Sequence, residues 1–498
     1  MKLYMDSVDA AVFGGSDISI VLIGGFAGYS NFGDILQVLS ALDFYKCKLP
    51  HACIAVAIDA EAQEIWQKSL PPRFKNIAMP IYMVENGHAH NAPTVPDGWS
   101  DQLTLPGAFI LHFYGGGYVA PEWGPRKRLA GEYFLSLCKA VGIKAHVYFS
   151  GIQVTDDAEA CLWRDLWSHA SIIGARDPTS LTICKQVLGN GADAKLFLQG
   201  DDALPPLSWM LQRRTSASSV RRNCIGVHVS AAYYSTGDRA ARLEVLADTA
   251  EALASALGPG GEFVGLIAYQ DQQVDENIYF QEFEDLVKSR ENILLSDWSY
   301  SRLLLQECVI RERIEMPFNL VVTCSYHIAY AALTAGIPVI FILDLPYYRQ
   351  KCDGLLHHFD ADRLLLIGLG GKKGREITEF LRDTKEAMYN PSVAKQWFSL
   401  TQVRSKIGKA VSEIEAARKA QTFEDILTNY RESALALGEL RRRVILMERY
   451  EANLQAEIAA LRDRSFLIAP KKEVRKLKQE WRRIREQLGL RKRKATTQ

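Results

Sequence analysis

Between residues 320 and 343 the chain has no Lys, Arg, Asp or Glu, and reads LVVTCSYHIAYAALTAGIPVIFIL. It also has no CxxC pair: the nine cysteines (47, 53, 138, 161, 184, 224, 308, 324 and 352) are scattered. That spacing excludes a zinc ribbon or disulfide scaffold and fits reduced thiols in a cytoplasm. The opening MKLYMDSVDAAVFGG lacks a long apolar core followed by a small-residue cleavage site, so no secretory signal is expected. His88 and His90 form a lone HAH with no third ligand nearby, so no metal site is expected. No RNA- or DNA-binding motif appears. The net charge of +1 hides an asymmetry: residues 471–498 hold 12 Lys/Arg and 3 Asp/Glu, while the rest holds 47 and 55. An acidic body makes a nucleic-acid partner unexpected, whereas the basic tail suits an anionic surface.

The uncharged run is long enough to cross a bilayer. Its interior argues for another reading. Val321-Val322-Thr323 suits a strand, 326–335 is rich in helix formers, Gly336-Ile337-Pro338 breaks the helix, and 339–343 is a second apolar strand. Strand, helix, turn and strand make a βαβ unit whose strands are buried on both faces, which explains the continuous apolar composition. Thr323 to His327 then lies at the carboxyl end of a strand, where open α/β sheets bind ligands.

Similar units recur. Residues 17–42 read as strand, Gly-rich turn and helix; further strands are expected at 51–57, 108–113, 143–149, 170–174 and 195–198, with helices at 125–141 and 178–188. The polar stretch 84–106 is a long loop. A second series places strands near 224–229, 263–267, 291–295, 319–323, 339–343 and 363–367. The expected fold class is α/β: two Rossmann-like domains facing a cleft, over 1–210 and 224–400, joined by a basic, Ser-rich linker at 211–223. Residues 401–498 form a helical extension. Leu437, Leu440, Val444 and Met447, resuming after Glu451 with Leu454, Ile458 and Leu461, trace one seam; past Pro470, Val474, Leu477, Trp481, Ile484 and Leu488 trace another. These seams suit a homo-oligomer through 430–490, a helical hairpin, or packing on the body; 471–498 suits a membrane surface.

The ordered motifs Gly24-Gly25 with Asn31-Phe32-Gly33-Asp34, Gly115-Gly116-Gly117, Arg176-Asp177-x-x-Ser180, Gly200-Asp201-Asp202-Ala203-Leu204, and Thr323 to Ile340 run across 17–360. In this the chain resembles the polysaccharide pyruvyl transferase family. The resemblance implies a glycosyltransferase B-like fold and transfer of a pyruvyl group from phosphoenolpyruvate (PEP), as co-substrate and with no other cofactor. The acceptor would be a sugar of a cell-surface polysaccharide or its lipid-linked precursor, and the enzyme cytoplasmic, peripheral on the inner face of the membrane. Two departures bear on the donor. Ser325 stands where the family has an arginine before the histidine, and Ser230 stands near a second expected arginine. PEP carries a carboxylate and a phosphate, which call for the bidentate contacts that arginine makes and serine cannot. A glycosyltransferase-like enzyme using a sugar nucleotide, and a non-catalytic scaffold working through its helical tail, are the alternatives.

The candidate catalytic residues are His327 and Asp34. A histidine titrates near neutrality and serves as acid or base, unless it is merely hydrogen-bonded in the core. Asp34 at a helix start either handles a sugar-hydroxyl proton or caps the helix, as does Asn31. For the donor or its anionic groups the candidates are Ser325, Arg349, Lys351 and the backbone of Gly115, Gly116 and Gly117; for the acceptor they are Asn31 and Tyr118. Arg126, Lys127 and Arg128 form a basic run that is either anion-binding or solvated. Arg176 and Asp177 face the cleft or form a structural contact, and His228 reads as a core histidine.

Overall fold

The structure is a computed structural model that describes residues between 2 and 416, interrupted chiefly at 26–30, 60–65, 85–98, 212–222, 230–238, 270–274, 369–373 and 385–401. The chain divides into units Met1–Arg418 and Lys419–Gln498, and the described residues belong to the first. The two helical seams, the basic tail, Ser230, His88 and His90 lie outside the described residues.

Two sheets build this unit. In the first, parallel strands run in the spatial order Leu196–Leu198, Ala170–Ala175, Ala145–Val154, Ala108–Phe113, Ile18–Ile23, Cys53–Asp59, Ala78–Val84. Lys2–Asp6 then adds antiparallel beyond Ala78–Val84. In the second, all parallel, the order is Ser299–Leu304, Glu262–Ile267, Cys224–Val227, Leu320–Thr323, Val339–Leu343, Leu364–Gly368. Numbered along the chain this is 3-2-1-4-5-6, the Rossmann order, with its ligand crevice where the order reverses between Cys224–Val227 and Leu320–Thr323. The first sheet repeats that order with one strand more and an antiparallel edge. Two Rossmann-like domains facing each other are the glycosyltransferase B-like arrangement expected from the sequence.

The uncharged run folds as strand Leu320–Thr323, helix Tyr326–Thr334 and strand Val339–Leu343. Among the described residues no helix is long and apolar enough to cross a membrane. Gly336 has φ +78 and ends the helix, as its place before Ile337-Pro338 requires. One strand, expected at 291–295, is corrected: Ile293–Leu295 is a 3₁₀ turn, and the strand starts later, at Ser299.

A single apolar cluster joins the two sheets. Helix Phe32–Lys48 is its axle, with Phe32, Ile35, Leu36, Val38, Leu39, Leu42 and Tyr45 all buried. Ile328, Tyr330 and Leu333 from the second domain pack into the same cluster. Each buried side chain of this size stabilises by roughly 1.5–3 kcal/mol, so the junction is a core and not a surface contact. Within the sequence-assigned extension, residues 402–416 form a helix that returns to the first domain. Val403, Ile407 and Val411 join the shared cluster, and Arg404 donates to the Ser40 carbonyl and hydroxyl.

Candidate functional site

Two helix starts meet at the junction. Asn31 caps helix Phe32–Lys48 by accepting from Gly33 N at 2.9 Å, a bond worth about 1 kcal/mol. Across from it, helix Tyr326–Thr334 begins at Ser325, which makes no side-chain cap hydrogen bond. Its backbone N–H donates instead to Thr323 Oγ1 at 2.9 Å. The two helices touch so closely that a Cβ on Gly33 would lie 1.8 Å from His327 Nδ1. Phe32 N also donates across the junction to Ala268 O at 3.0 Å.

His327 is half-buried, and its Nε2 lies 3.4 Å from Asp201 Oδ2. Asp201 is fully buried and heavily satisfied: Gln37 Nε2 donates to Oδ1 at 3.0 Å, Ala203 N to Oδ1 at 2.8 Å, and Arg176 Nη1 to Oδ2 at 3.0 Å. Burial alone would raise its carboxyl. The His327 imidazole and the Arg176 guanidinium more than offset that and hold it below the usual carboxylate range. Asp201 is therefore a fixed anion that orients His327. Arg176 is committed: besides Asp201 it donates to Gln153, and its guanidinium stacks 4.3 Å above the Tyr326 ring.

Asp34 sits half-buried in the first turn of its helix. Burial pushes its carboxyl above the ordinary value, against the pull of His327, Lys127, Lys351 and Arg176. Gly25 packs closely beside it. A Cβ there would lie 2.9 Å from Asp34 Oδ1, 3.1 Å from Gln37 Oε1 and 3.3 Å from Gly115 O. Gln37 Oε1 is buried and has no hydrogen-bond partner. A side chain at position 25 would therefore press on Asp34 and Gln37, so glycine is needed there for the close approach.

The other candidates separate. Lys351, on helix Pro346–His358, comes near enough to act on Asp34, whereas Arg349 on the same helix is exposed. Gly115 is already engaged: its N–H donates to Asp202 Oδ2 at 3.0 Å and its carbonyl accepts from Gly25 N at 3.0 Å. Gly116 has φ +127 and lies against Gly25, so glycine is needed there for backbone reasons, while Gly117 lies within strand Gly116–Val119. Tyr118 is corrected. It is buried against Trp163, with its hydroxyl enclosed and unpartnered, so it offers no face to an acceptor. Asn31 is occupied as a cap. Asp177 caps helix Pro178–Leu188 through Ser180 N at 2.8 Å. His228 is buried, 3.1 Å from Glu276 Oε1 and 3.1 Å from Thr323 Oγ1; burial opposes its charge, but Glu276 prevails and raises it to about 10.

Sequence reasoning missed Gln37, and it quoted Asp201 without giving it a role. The doubled Asp after Gly200 was the available signal for the second; nothing in the apolar helix around Gln37 marked the first. Among the described residues no group of three His, Cys, Asp or Glu could hold a metal ion.

No family model and no curated protein matches the sequence. Among solved structures the chain is similar to a putative UDP-N-acetylglucosamine 2-epimerase from Listeria monocytogenes, at 12% identity over 80% of this chain and 98% of that one, TM-score 0.49. It is similar to MurG of Acinetobacter baumannii, at 12% identity over 79% and 99%, TM-score 0.41. A sucrose-phosphate synthase from Thermosynechococcus elongatus gives 12% identity over 83% and 100%, TM-score 0.42. At these values the likeness carries no functional argument, and the fold rests on the strand orders given above.

Proposed function

We propose that the chain is a transferase that moves a group from a phosphate-bearing donor to a sugar hydroxyl, the donor being a sugar nucleotide. One observation carries the reading: Asp34, half-buried in the first turn of its helix, lies at the junction with the helix start that bears His327, and Lys351 of the second domain comes near enough to act on it. Asp34 takes the proton of the acceptor hydroxyl as its oxygen attacks the anomeric carbon of the donor. The bond from that carbon to the phosphate oxygen breaks, and charge grows on the leaving phosphate. The amino end of helix Tyr326–Thr334 and the Lys351 ammonium receive that charge. His327, with Nε2 turned to Asp201 and Nδ1 against Gly33, fixes that helix start in place.

Nucleotide is favoured over PEP by what the arginines are doing. Arg176 is spent on Asp201, Gln153 and Tyr326, Arg349 is exposed, and Ser325 occupies an expected arginine position. Helix amides and a lysine suit a diphosphate better than a carboxylate that wants a guanidinium fork. Pyruvyl transfer from PEP is the second reading, favoured by the retention of His327 within the ordered motifs, where it would protonate the PEP methylene carbon. The acceptor is a polysaccharide or a lipid-linked precursor. The basic tail supports a place at an anionic membrane surface, and an unchanged membrane fraction after deletion of 471–498 would sink that part.

Calorimetry on the full chain with UDP, GDP, ADP and PEP, beside His327→Ala, tests the donor. Micromolar binding of one nucleoside diphosphate, weakened in the variant, is expected. Micromolar PEP with no nucleotide binding would shift the conclusion to pyruvyl transfer. No binding of either at millimolar concentration would overturn both and leave the scaffold alternative.

A further inference from the structure

The strand end where the order of the second sheet reverses carries a buried acid–base pair that the proposed reaction does not use. His228 follows strand Cys224–Val227 and is 2% exposed; Glu276 opens helix Glu276–Ser289 and is 4% exposed. The imidazole Nε2 donates to Glu276 Oε1 at 3.1 Å, and Nδ1 lies 3.1 Å from Thr323 Oγ1. Each partner goes on to a backbone group. Thr323 Oγ1 accepts from Ser325 N at 2.9 Å, at the start of the helix that bears His327. Glu276 Oε2 accepts from Ala268 N at 2.7 Å and from Tyr269 N at 3.0 Å. The carbonyl of the same Ala268 accepts from Phe32 N at 3.0 Å, at the start of the helix that bears Asp34. An unbroken chain of hydrogen bonds thus joins the two helix starts of the site, and it crosses from the second domain to the first at Ala268. Amides at a helix start have no acceptor within their own helix, so these outside partners are what place them.

We propose that His228 and Glu276 are positioning residues, which hold the two helix starts in one relative setting for the transfer. This rests on the reading that Asp34 and the amino end of helix Tyr326–Thr334 serve the reaction. Apolar side chains would tie these strand ends together at lower cost than a buried ion pair. They would not fix direction, whereas a hydrogen bond weakens steeply as its angle bends. The imidazole has two polar ends, and each is turned to a different helix start. Its Nδ1 end serves the second-domain helix through Thr323, and its Nε2 end serves the first-domain helix through Glu276 and Ala268.

The two ends can be removed one at a time. His228→Asn puts an amide near the place of Nδ1 and keeps the bond to Thr323; His228→Gln puts it near Nε2 and keeps the bond to Glu276. Hydrogen exchange of the full chain, read by mass spectrometry with fragmentation to single amides, is the measurement, with thermal melts as a check on folding. His228→Asn should speed exchange at Phe32 about tenfold and leave Ser325 unmoved, and His228→Gln should do the reverse. Calorimetry with UDP, GDP and ADP adds a split that a merely structural role would not produce. Nucleotide affinity should fall about tenfold in His228→Gln, which loosens the phosphate-facing helix start, and stay within about twofold of wild type in His228→Asn. Unchanged exchange at Phe32 in His228→Asn, or equal changes at both amides in both variants, would overturn the proposal. Thr323→Val, of the same shape, should reproduce the His228→Gln pattern and serves where a His228 variant fails to fold; wild-type exchange at Ser325 in it would overturn the proposal as well. Absence of nucleotide binding in wild type, with the exchange pattern as expected, would overturn the donor reading and leave the positioning chain standing.

Discussion

Gly33 and His327 are 290-odd residues apart in sequence, yet a methyl group on the first would lie 1.8 Å from Nδ1 of the second. The start of one domain's helix is thus the wall against which the other domain's histidine rests. Gly33→Ala must push His327 away from Asp201 or part the domains. The expected result is loss of about 1–3 kcal/mol of stability by overpacking and loss of donor binding. Gly354→Ala is the control: its Cβ would meet Asp177 Cβ at an ordinary 3.4 Å, and in a helix alanine is favoured over glycine. Thermal melts and calorimetry of both variants check this; equal donor affinity in wild type and Gly33→Ala would refute the packing account.

Asp34 predicts the acid limb of the rate profile. Because burial raises its pKa, it is protonated, and useless as a base, at pH values where an ordinary aspartate is still ionised. Transfer should therefore fall with decreasing pH through a midpoint above that of an ordinary aspartate. Asp34→Asn should cost roughly 10²–10⁴-fold in rate and remove that limb. A variant retaining the same acid limb would assign the proton transfer elsewhere.

The Arg176–Asp201 pair is buried on both sides, with side-chain exposures of 3% and 0%. Removing one partner leaves the other charge uncompensated. Asp201→Asn should destabilise by about 3–5 kcal/mol, and adding Arg176→Met should restore a large part of it. Denaturant melts of the two single variants and the double variant give the coupling. Additive losses would mean that the two groups are independent.

His228 gives a stability prediction with a defined sign. Its folded pKa is raised to about 10 by Glu276 despite burial, from 6.5. The unfolded chain gives up that proton first as pH rises. The stabilisation is therefore fully present below about 6.5 and is lost progressively as pH climbs to about 10. Glu276→Gln should lower stability at neutral pH and flatten this alkaline decline. An unchanged slope between pH 7 and 10 in that variant would show that His228 is not the titrating group.

Most of the second sheet was legible because its strands are continuous apolar runs between turn residues. The exception, 291–295, is instructive. The apolar Ile293-Leu294-Leu295 turns as 3₁₀, while the true strand, SYSRLL, is an edge strand paired only with Glu262–Ile267 and carries polar residues. Lys2–Asp6 and Ala78–Val84 also escaped although each is paired on both sides; in the second, Pro80 interrupts the strand signal. His327 was legible as the lone histidine in an uncharged run. Gln37 was not, since a glutamine on a helix buried on nearly all sides has no local signature; only the distant carboxylate it serves gives it a role. Arg349 and Lys351 were both expected at the donor, although two residues apart on a helix they point about 160° apart and cannot both face the cleft.

The helix over 402–416 makes the first domain discontinuous in sequence. It follows the whole second domain along the chain, yet Val403, Ile407 and Val411 share a core with helix Phe32–Lys48. The second domain is thus an insertion within the first, and a chain cut before 402 would strip apolar cover from that helix and not merely trim a tail.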